Sequence, residues 1–353
     1  MIFKGKRILI TGGTGSLGRK LVTRILSGEN GVPAGVRVFS RDEAKQHQMR
    51  LEYKKLKSAT DEIIYRNLPE ALEFQIGDVR DLKSVARALK DVDIVINAAA
   101  LKQVPTCEYY PYEAVKTNIM GAYNIAAAVA ELKTPVETVV GVSTDKACKP
   151  VNVMGMTKAI QERVFIEANM LCRDTRFICV RYGNVLASRG SIMPLFHDQI
   201  RRGGPLTITS GEMTRFLLSL EDAVAAIIAA VRTAQQGETF VPKAPSVRIT
   251  DVADVLIGGR KIEKRIVGVR PGEKTHEVLI SEEECLRTVD YGEYYSIQPI
   301  LPELRSVKIK KPVLTKEYSS MDNLLSKKEI FALLKKKKLL VDDVKGPTGE
   351  ILA

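Results

Sequence analysis

The segment Thr11-Gly12-Gly13-Thr14-Gly15-Ser16-Leu17-Gly18 follows the short apolar run Arg7–Ile10 and opens a helical pattern over Leu17–Leu26. A turn this rich in glycine, set between a first strand and a first helix, leaves few folds open. Gly12 and Gly15 permit a tight turn with close backbone approach to a bound group, and Gly18 lets the helix pack onto the sheet. The helix start offers unpaired N–H groups and the positive end of its dipole, a cradle suited to pyrophosphate. Alone, such a triad is weak evidence. Its surroundings decide.

The same alternation continues through the first half. Val36–Phe39, Leu72–Ile76, Val92–Ile96 and Thr138–Val142 are short, continuous and β-branched, as in a parallel sheet covered on both faces. Helical patterns over Asp42–Lys57, Leu82–Leu89, Ala114–Glu131 and Asn152–Met170 lie between and after them. Further on, Arg176–Arg181 reads as a strand, Glu221–Arg232 as a helix capped by Ser219, and Thr239–Val241 as a last strand. The prediction is an α/β fold: a doubly wound parallel sheet of the Rossmann kind, with ligands at the carboxyl ends of its strands. Elsewhere Gly203-Gly204-Pro205, Arg270-Pro271-Gly272 and Pro299 to Pro302 punctuate shorter segments, with capping patterns at Ser281–Glu284 and Ser326–Glu329. We therefore divide the chain into a dinucleotide-binding domain, 1–182 and 217–243, and a smaller interleaved substrate lobe, 183–216 and 244–353.

Composition narrows the class further. The chain has 353 residues, 45% apolar and 27% charged, as in ordinary globular proteins. No secretory pattern opens it, and the apolar stretch Ala223 to Val231 falls far short of the roughly 20 residues that cross a bilayer. A soluble, cytoplasmic protein with no integral membrane segment is expected. Five cysteines form no CxxC and three histidines stand singly, so neither a disulfide framework nor a metal site is expected. Cys148 is read as a packed residue before a reactive thiol. The net charge of +12 is concentrated near the end: from Lys308 to Lys338, ten lysines face only Glu317, Asp322 and Glu329, a local +7. Lys335-Lys336-Lys337-Lys338 has no interleaved aromatic residues for base stacking, so a solvated helix face is expected and nucleic acid is not.

In the glycine segment, Gly12, Thr14, Gly15, Ser16, Leu17 and Gly18 are the expected cofactor contacts. An NAD enzyme usually carries an acidic residue at the end of its second strand to hold the ribose 2′-hydroxyl. Here Ser40-Arg41 stands there, with Lys45 one turn later. A hydroxyl and a guanidinium suit a 2′-phosphate, so NADP is expected in preference to NAD. Asp78-Val79 is placed beside the adenine, and Ala98, Ala99 and Ala100, after Asn97, beside the ribose; close packing is the plainer reading of that small-residue run.

Further motifs carry a resemblance. They are Ser143-Thr144-Asp145-Lys146-Ala147, Pro150-x-Asn152, the helix leading to Lys158, Arg181-Tyr182-Gly183-Asn184-Val185, Met213-Thr214-Arg215-Phe216 and Arg270-Pro271-Gly272-Glu273-Lys274. Together, over residue 5 to about residue 335, the chain resembles the extended short-chain dehydrogenase/reductases. Within them it resembles the UDP-N-acetylglucosamine 4,6-dehydratases of polysaccharide and glycan synthesis. That resemblance implies an internal redox reaction on a UDP-sugar. Hydride leaves C4 of the hexose, water is lost across C5–C6, and the hydride returns to C6, so the cofactor is recycled and stays tightly bound. It also implies that Asp145 protonates the leaving hydroxyl, that Lys146 is the base at C5, and that Lys158 holds the nicotinamide ribose. A lysine acts as base only where burial or nearby cations depress its pKa, and Lys158 is the expected neighbour. Asn118 and Ser143 are placed with the cofactor, and Lys102 facing the cleft.

Met154 departs from the pattern. The related enzymes usually place a tyrosine there to take the C4 hydroxyl proton, although a subset of the dehydratases resembles this chain in carrying methionine. We expect Thr144 to orient the C4 hydroxyl while Asp145 accepts its proton and later returns one as acid. Arg215, Arg270 and Lys274 are candidates for the diphosphate, Glu273 for ribose or uracil, and Asn184 for the diphosphate or sugar. Two other functions stay open: a UDP-N-acetylhexosamine C4-epimerase, which needs the missing tyrosine, and a non-catalytic NADP-sensing protein. The resemblance implies a homo-oligomer, dimer or hexamer; a latch of the basic tail across a neighbouring subunit is our own hypothesis within that picture.

Overall fold

The computed structural model describes residues 1–55, 71–132, 135–186, 192–305, 309 and 311–343. The last two residues of the helix expected over Asp42–Lys57, and Lys308 and Lys310 of the tail, lie outside the described residues. The first six strands are β1 (Arg7–Thr11), β2 (Gly35–Ser40), β3 (Leu72–Ile76), β4 (Ile94–Asn97), β5 (Thr138–Thr144) and β6 (Arg176–Tyr182). Then come β7 (Leu206–Ile208), β8 (Thr214–Phe216), β9 (Thr239–Pro242), β10 (Ser246–Arg248), β11 (Lys264–Ile266) and β12 (Val278–Ile280). The last are β13 (Thr288–Asp290), β14 (Tyr294–Ile297) and β15 (Tyr318–Ser319).

Nine of these form one sheet in the order β13-β14-β9-β6-β5-β4-β1-β2-β3. From β3 to β9 every pairing is parallel, and the chain reverses direction around β1, which lies between β2 and β4. This is the doubly wound arrangement, with its ligand crevice where the order reverses. Helices Ser16–Leu26 and Leu220–Thr233 cover one face; Leu82–Ala88, Gly121–Leu132 and Val153–Leu171 cover the other. The strands between them are buried on both sides, which is why they read as continuous apolar runs.

β13 and β14, inside the stretch 244–353, join the main sheet antiparallel beyond β9. They cover an edge of β9 that would otherwise present unpaired backbone. Tyr294 and Tyr291 pack against Phe240 there. The lobe has its own core, where Phe196, Leu256, Ile330 and Leu334 meet between helices Ile192–Arg201, Ile249–Ile257 and Lys327–Lys336. The basic helix thus buries one face on its own chain and leaves Lys335 and Lys336 in solvent. Lys337 Nζ donates to Ser219 Oγ at 2.9 Å.

The helix expected over Ala114–Glu131 is continuous in direction but contains a wider π-type turn at Val115–Met120. Asn118 sits in that turn, with its amide bonded to both the N–H and the carbonyl of Leu101. Among the described residues, no helix is long and apolar enough to cross a membrane.

Candidate active site

The glycine segment forms the floor of a cleft of about 1850 Å³ along the carboxyl ends of the strands. Gly12 has φ +64°, and a Cβ there would stand 2.9 Å from the Ala99 backbone. Only glycine fits, and the gap between the two turns is held open for a flat group. A Cβ on Gly18 would meet Gly13 Cα at 2.4 Å, so the first helix rests directly on the turn. Thr11 Oγ1 donates to Asn97 Oδ1 at 2.6 Å and accepts from the Ala99 N–H, fixing the two turns together. This cradle, with the helix N-terminus behind it, fits a dinucleotide pyrophosphate. Gly12, Thr14, Gly15, Ser16, Leu17, Gly18, Ala98, Ala99, Ala100 and Val79 all line it.

At the end of β2, Ser40, Arg41 and Lys45 also line the cleft. Arg41 is 55% exposed at its side chain and lies 3.5 Å from Asp78. Lys45 Nζ is paired with Asp42 Oδ2 at 2.5 Å, and Asp42 caps the second helix through the Lys45 N–H. Ser40 Oγ accepts from Gln46. Asn118, expected at the cofactor, is fully buried, and its amide is committed to Leu101 and Thr157. It shapes the wall from behind.

The loop after β5 is a single 3-10 turn, Asp145–Ala147, capped by Thr144. Asn152 then caps helix Val153–Leu171 and also donates to the Gly272 carbonyl at 2.8 Å. A Cβ at Gly155 would lie 2.2 Å from the Lys146 carbonyl oxygen, so helix and loop touch backbone to backbone. Thr144, Lys146, Met154 and Lys158 face the cleft together. Met154 is 5% exposed and packs with Cys107 and Ala114. Burial lowers the Lys158 pKa to about 8, with Nζ held by the Val142 carbonyl and Gln161 Oε1, each at 2.6 Å.

Two expectations for the loop are corrected. Asp145 does not line the cleft: its carboxylate is fully buried beneath Gly183 and takes Oδ1 bonds from Thr144 Oγ1 (2.9 Å) and Lys146 Nζ (3.0 Å). Its Oδ2 has no hydrogen-bond partner. Nor is Lys146 the depressed lysine. Burial pulls its pKa down, but the carboxylates of Asp145 and Glu277 outweigh burial and hold it above the ordinary lysine value. The cations acting on it are Arg215 and Lys274, not Lys158.

Lys146 also borders a second cavity of about 430 Å³, largely apolar, floored by residues such as Met193, Leu217 and Val252. Asn184, Arg270 and Glu273 border both cavities, and Lys102 only the first. Arg215 and Lys274 line the second, but both already have partners. The Arg215 guanidinium donates to the carbonyls of Thr214, Lys274 and Thr275, and Lys274 Nζ donates to the Cys148 carbonyl at 2.5 Å. Ser143 lines the cleft with its hydroxyl donated to Glu162 at 2.5 Å. The Cys148 thiol is pushed up to about 12 by burial, which makes it inert packing.

The family model described as "Polysaccharide biosynthesis protein" matches residues 8–299. The chain belongs to that family. A protein named UDP-glucose 4-epimerase from Rickettsia canadensis is 43% identical over 348 residues, covering 94% of this chain and 97% of the relative. The structure of Pen from Bacillus thuringiensis superposes with TM-score 0.84 at 34% identity, covering 96% of this chain and all of that one. The dTDP-glucose 4,6-dehydratase DesIV from Streptomyces venezuelae has TM-score 0.63 at 21% identity, covering 76% and 86% of the two chains. This family member therefore has the extended short-chain dehydrogenase/reductase fold.

Two features of the site escape motif reading. Glu277 pairs with Lys146 at 3.4 Å and Arg215 at 3.8 Å. Beneath the loop, Arg181 is buried between Glu162 and Glu284 and bonded to both carboxylates. Arg181 was visible only as part of a motif, and its second partner lies in a capping box more than a hundred residues on.

Proposed function

We propose that this chain modifies a nucleotide sugar as an NADP-dependent 4,6-dehydratase. It would convert UDP-N-acetylglucosamine to the 4-keto-6-deoxy sugar by C4 oxidation, loss of water across C5–C6, and reduction at C6. One observation carries the reading: Lys146 lines the cleft hydrogen-bonded to the buried Asp145 behind it, while Met154 stands where proton exchange at C4 alone would need a hydroxyl. Eliminating water requires a proton at the C6 oxygen and a base at C5, which epimerisation does not. The dinucleotide, when bound, supplies the reversible redox equivalent for C4 and C6.

The chain's own residues divide the remaining work. Thr144 donates its hydroxyl proton to Asp145, leaving its oxygen free to accept from a sugar hydroxyl. Asp145 takes the C4 proton through Thr144; Lys146 gives a proton to the C6 oxygen, takes one from C5 and returns one there after reduction, and Asp145 then restores its charge. Arg270, exposed at the junction of the cavities, suits the diphosphate, and the apolar second cavity suits a base. Arg215 and Lys274 would shape that cavity through their carbonyl contacts more than by reaching phosphate. Arg41 favours a 2′-phosphate. Arg41→Ala should weaken NADP binding about tenfold while leaving NAD unchanged, read by titration calorimetry with each cofactor. Equal effects on both would remove the NADP preference.

A second reading has its own support, since the curated relatives are named UDP-glucose 4-epimerases. Proton NMR of the protein with UDP-N-acetylglucosamine in D2O separates them. A new C6 methyl signal with deuterium at C5 supports the dehydratase, and its couplings give the C5 configuration. A C4-inverted sugar without a methyl group, from this substrate or UDP-glucose, moves the assignment to epimerase. No turnover with NADP supplied would favour a non-catalytic role.

A further inference from the structure

Glu277 is 2% exposed and lies one residue before β12, on the wall of the second cavity. Its backbone is fixed from both directions: the N–H donates to Ser320 Oγ at 2.9 Å, and the carbonyl accepts from the Ser320 N–H at 2.8 Å. The preceding residue, His276, is tied through Nδ1 to Thr214 Oγ1 at 2.8 Å. The side chain therefore has a rigid base. Its Oε1 stands 3.4 Å from Lys146 Nζ and 3.8 Å from Arg215 Nε, and its Oε2 has no hydrogen-bond partner. A carboxylate so buried and incompletely bonded is costly to keep charged. Packing alone would be served better by an apolar side chain.

We propose that Glu277 is a positioning residue that keeps Lys146 charged and aimed at the junction of the two cavities, so that Lys146 meets the substrate as an ammonium. The chemical meaning of that charge rests on the dehydratase reading: an ammonium gives a proton to the departing C6 hydroxyl, and the amine left by that transfer takes the C5 proton. Every charged group near Lys146 enters the balance. Asp145 and Glu277 favour the ammonium; burial and Arg215 oppose it, and Lys274 lies close enough to couple with it. Asn184 Oδ1 accepts from the ammonium at 3.0 Å and orients it. Without Glu277, Asp145 alone would have to offset burial and two cations.

The test follows Lys146 directly. The protein is labelled with lysine carrying 13C at Cε, and the Lys146 signal is assigned by its loss in Lys146→Met. In Glu277→Gln, the Lys146 titration midpoint should fall by about 1–3 pH units, and in Glu277→Asp by less. The limb of the kcat–pH profile that reports Lys146 should move by the same amount, with KM changed less than kcat. An unmoved midpoint in Glu277→Gln overturns the proposal, because a purely structural carboxylate would alter melting alone. If Glu277→Gln does not fold, an unmoved midpoint in Glu277→Asp has the same force. The titration needs no turnover, so failure of the dehydratase reading, seen as no methyl product from the wild type, is a separate result.

Discussion

Lys146→Met should lower turnover of the nucleotide sugar by about 10²–10⁴-fold while leaving dinucleotide affinity unchanged. Methionine keeps the length of the side chain and removes its charge and protons. The cofactor cradle is built from β1, β2 and β4 and makes no use of Lys146, so the two measurements separate. Asp145→Asn should cost a similar factor, and the double variant little more than either single one, because paired groups act as a unit. Single-turnover rates with purified protein give the comparison. A Lys146→Met enzyme within tenfold of wild type would remove the acid/base pair from the mechanism. Additive losses would mean that the two residues act in separate steps.

Arg181→Met should have the largest effect on stability, about 3–5 kcal/mol at neutral pH. Arg181 is 3% exposed and is hydrogen-bonded to Glu162, Glu284 and the Leu279 carbonyl. Its removal strands two buried carboxylates. In the intact protein, burial pushes the Glu284 pKa up, but the Arg181 charge and hydrogen bonds outweigh it and hold the group at about 2, below its ordinary 4.5. A depressed carboxylate stabilises the fold above its unfolded pKa, and that contribution is lost as pH falls from about 4.5 towards 2. In Arg181→Met the largest opposition to burial is gone, and only the Ser281 N–H and Arg287 still favour the Glu284 carboxylate. The deficit of the variant should therefore shrink as pH is lowered and the carboxylates take up protons. Urea unfolding of both proteins across that range tests it, and a deficit independent of pH would contradict the ion-pair account.

Much of this was legible in the chain itself. The runs at Arg7, Val36, Val92, Thr138 and Arg176 are apolar without alternation, and a helical pattern follows each; only a covered parallel sheet satisfies both signals. Helix starts at Ser219, Ser281 and Ser326 were readable because a capping box is a local hydrogen-bond pattern, and all three boxes form. β13 and β14 were not readable. They are three and four residues long, rich in tyrosine, and their partner β9 is distant in sequence. The charge state of Lys146 was misread for the same reason: the local motif displays Asp145, whereas Glu277 arrives from a segment over a hundred residues away. Asp145 was assigned direct contact with the sugar because the motif shows residue types and not their depth, and the close lid of Gly183 has no sequence signature.

The order of the sheet bears on how the protein is made. From β1 onward through β4, β5, β6 and β9, each new parallel strand is laid against the edge left by its predecessor in the sheet. A chain emerging from the ribosome, N-terminus first, can thus assemble the dinucleotide cradle early and grow the sheet outward without rearrangement. The lobe has no such schedule. Its core needs Ile330 and Leu334, and the anchor for Glu277 needs Ser320, all near the end of translation. Cofactor can be captured by a nascent chain well before the wall around Lys146 exists, so premature termination near the tail would leave a protein able to hold the dinucleotide but not to use it.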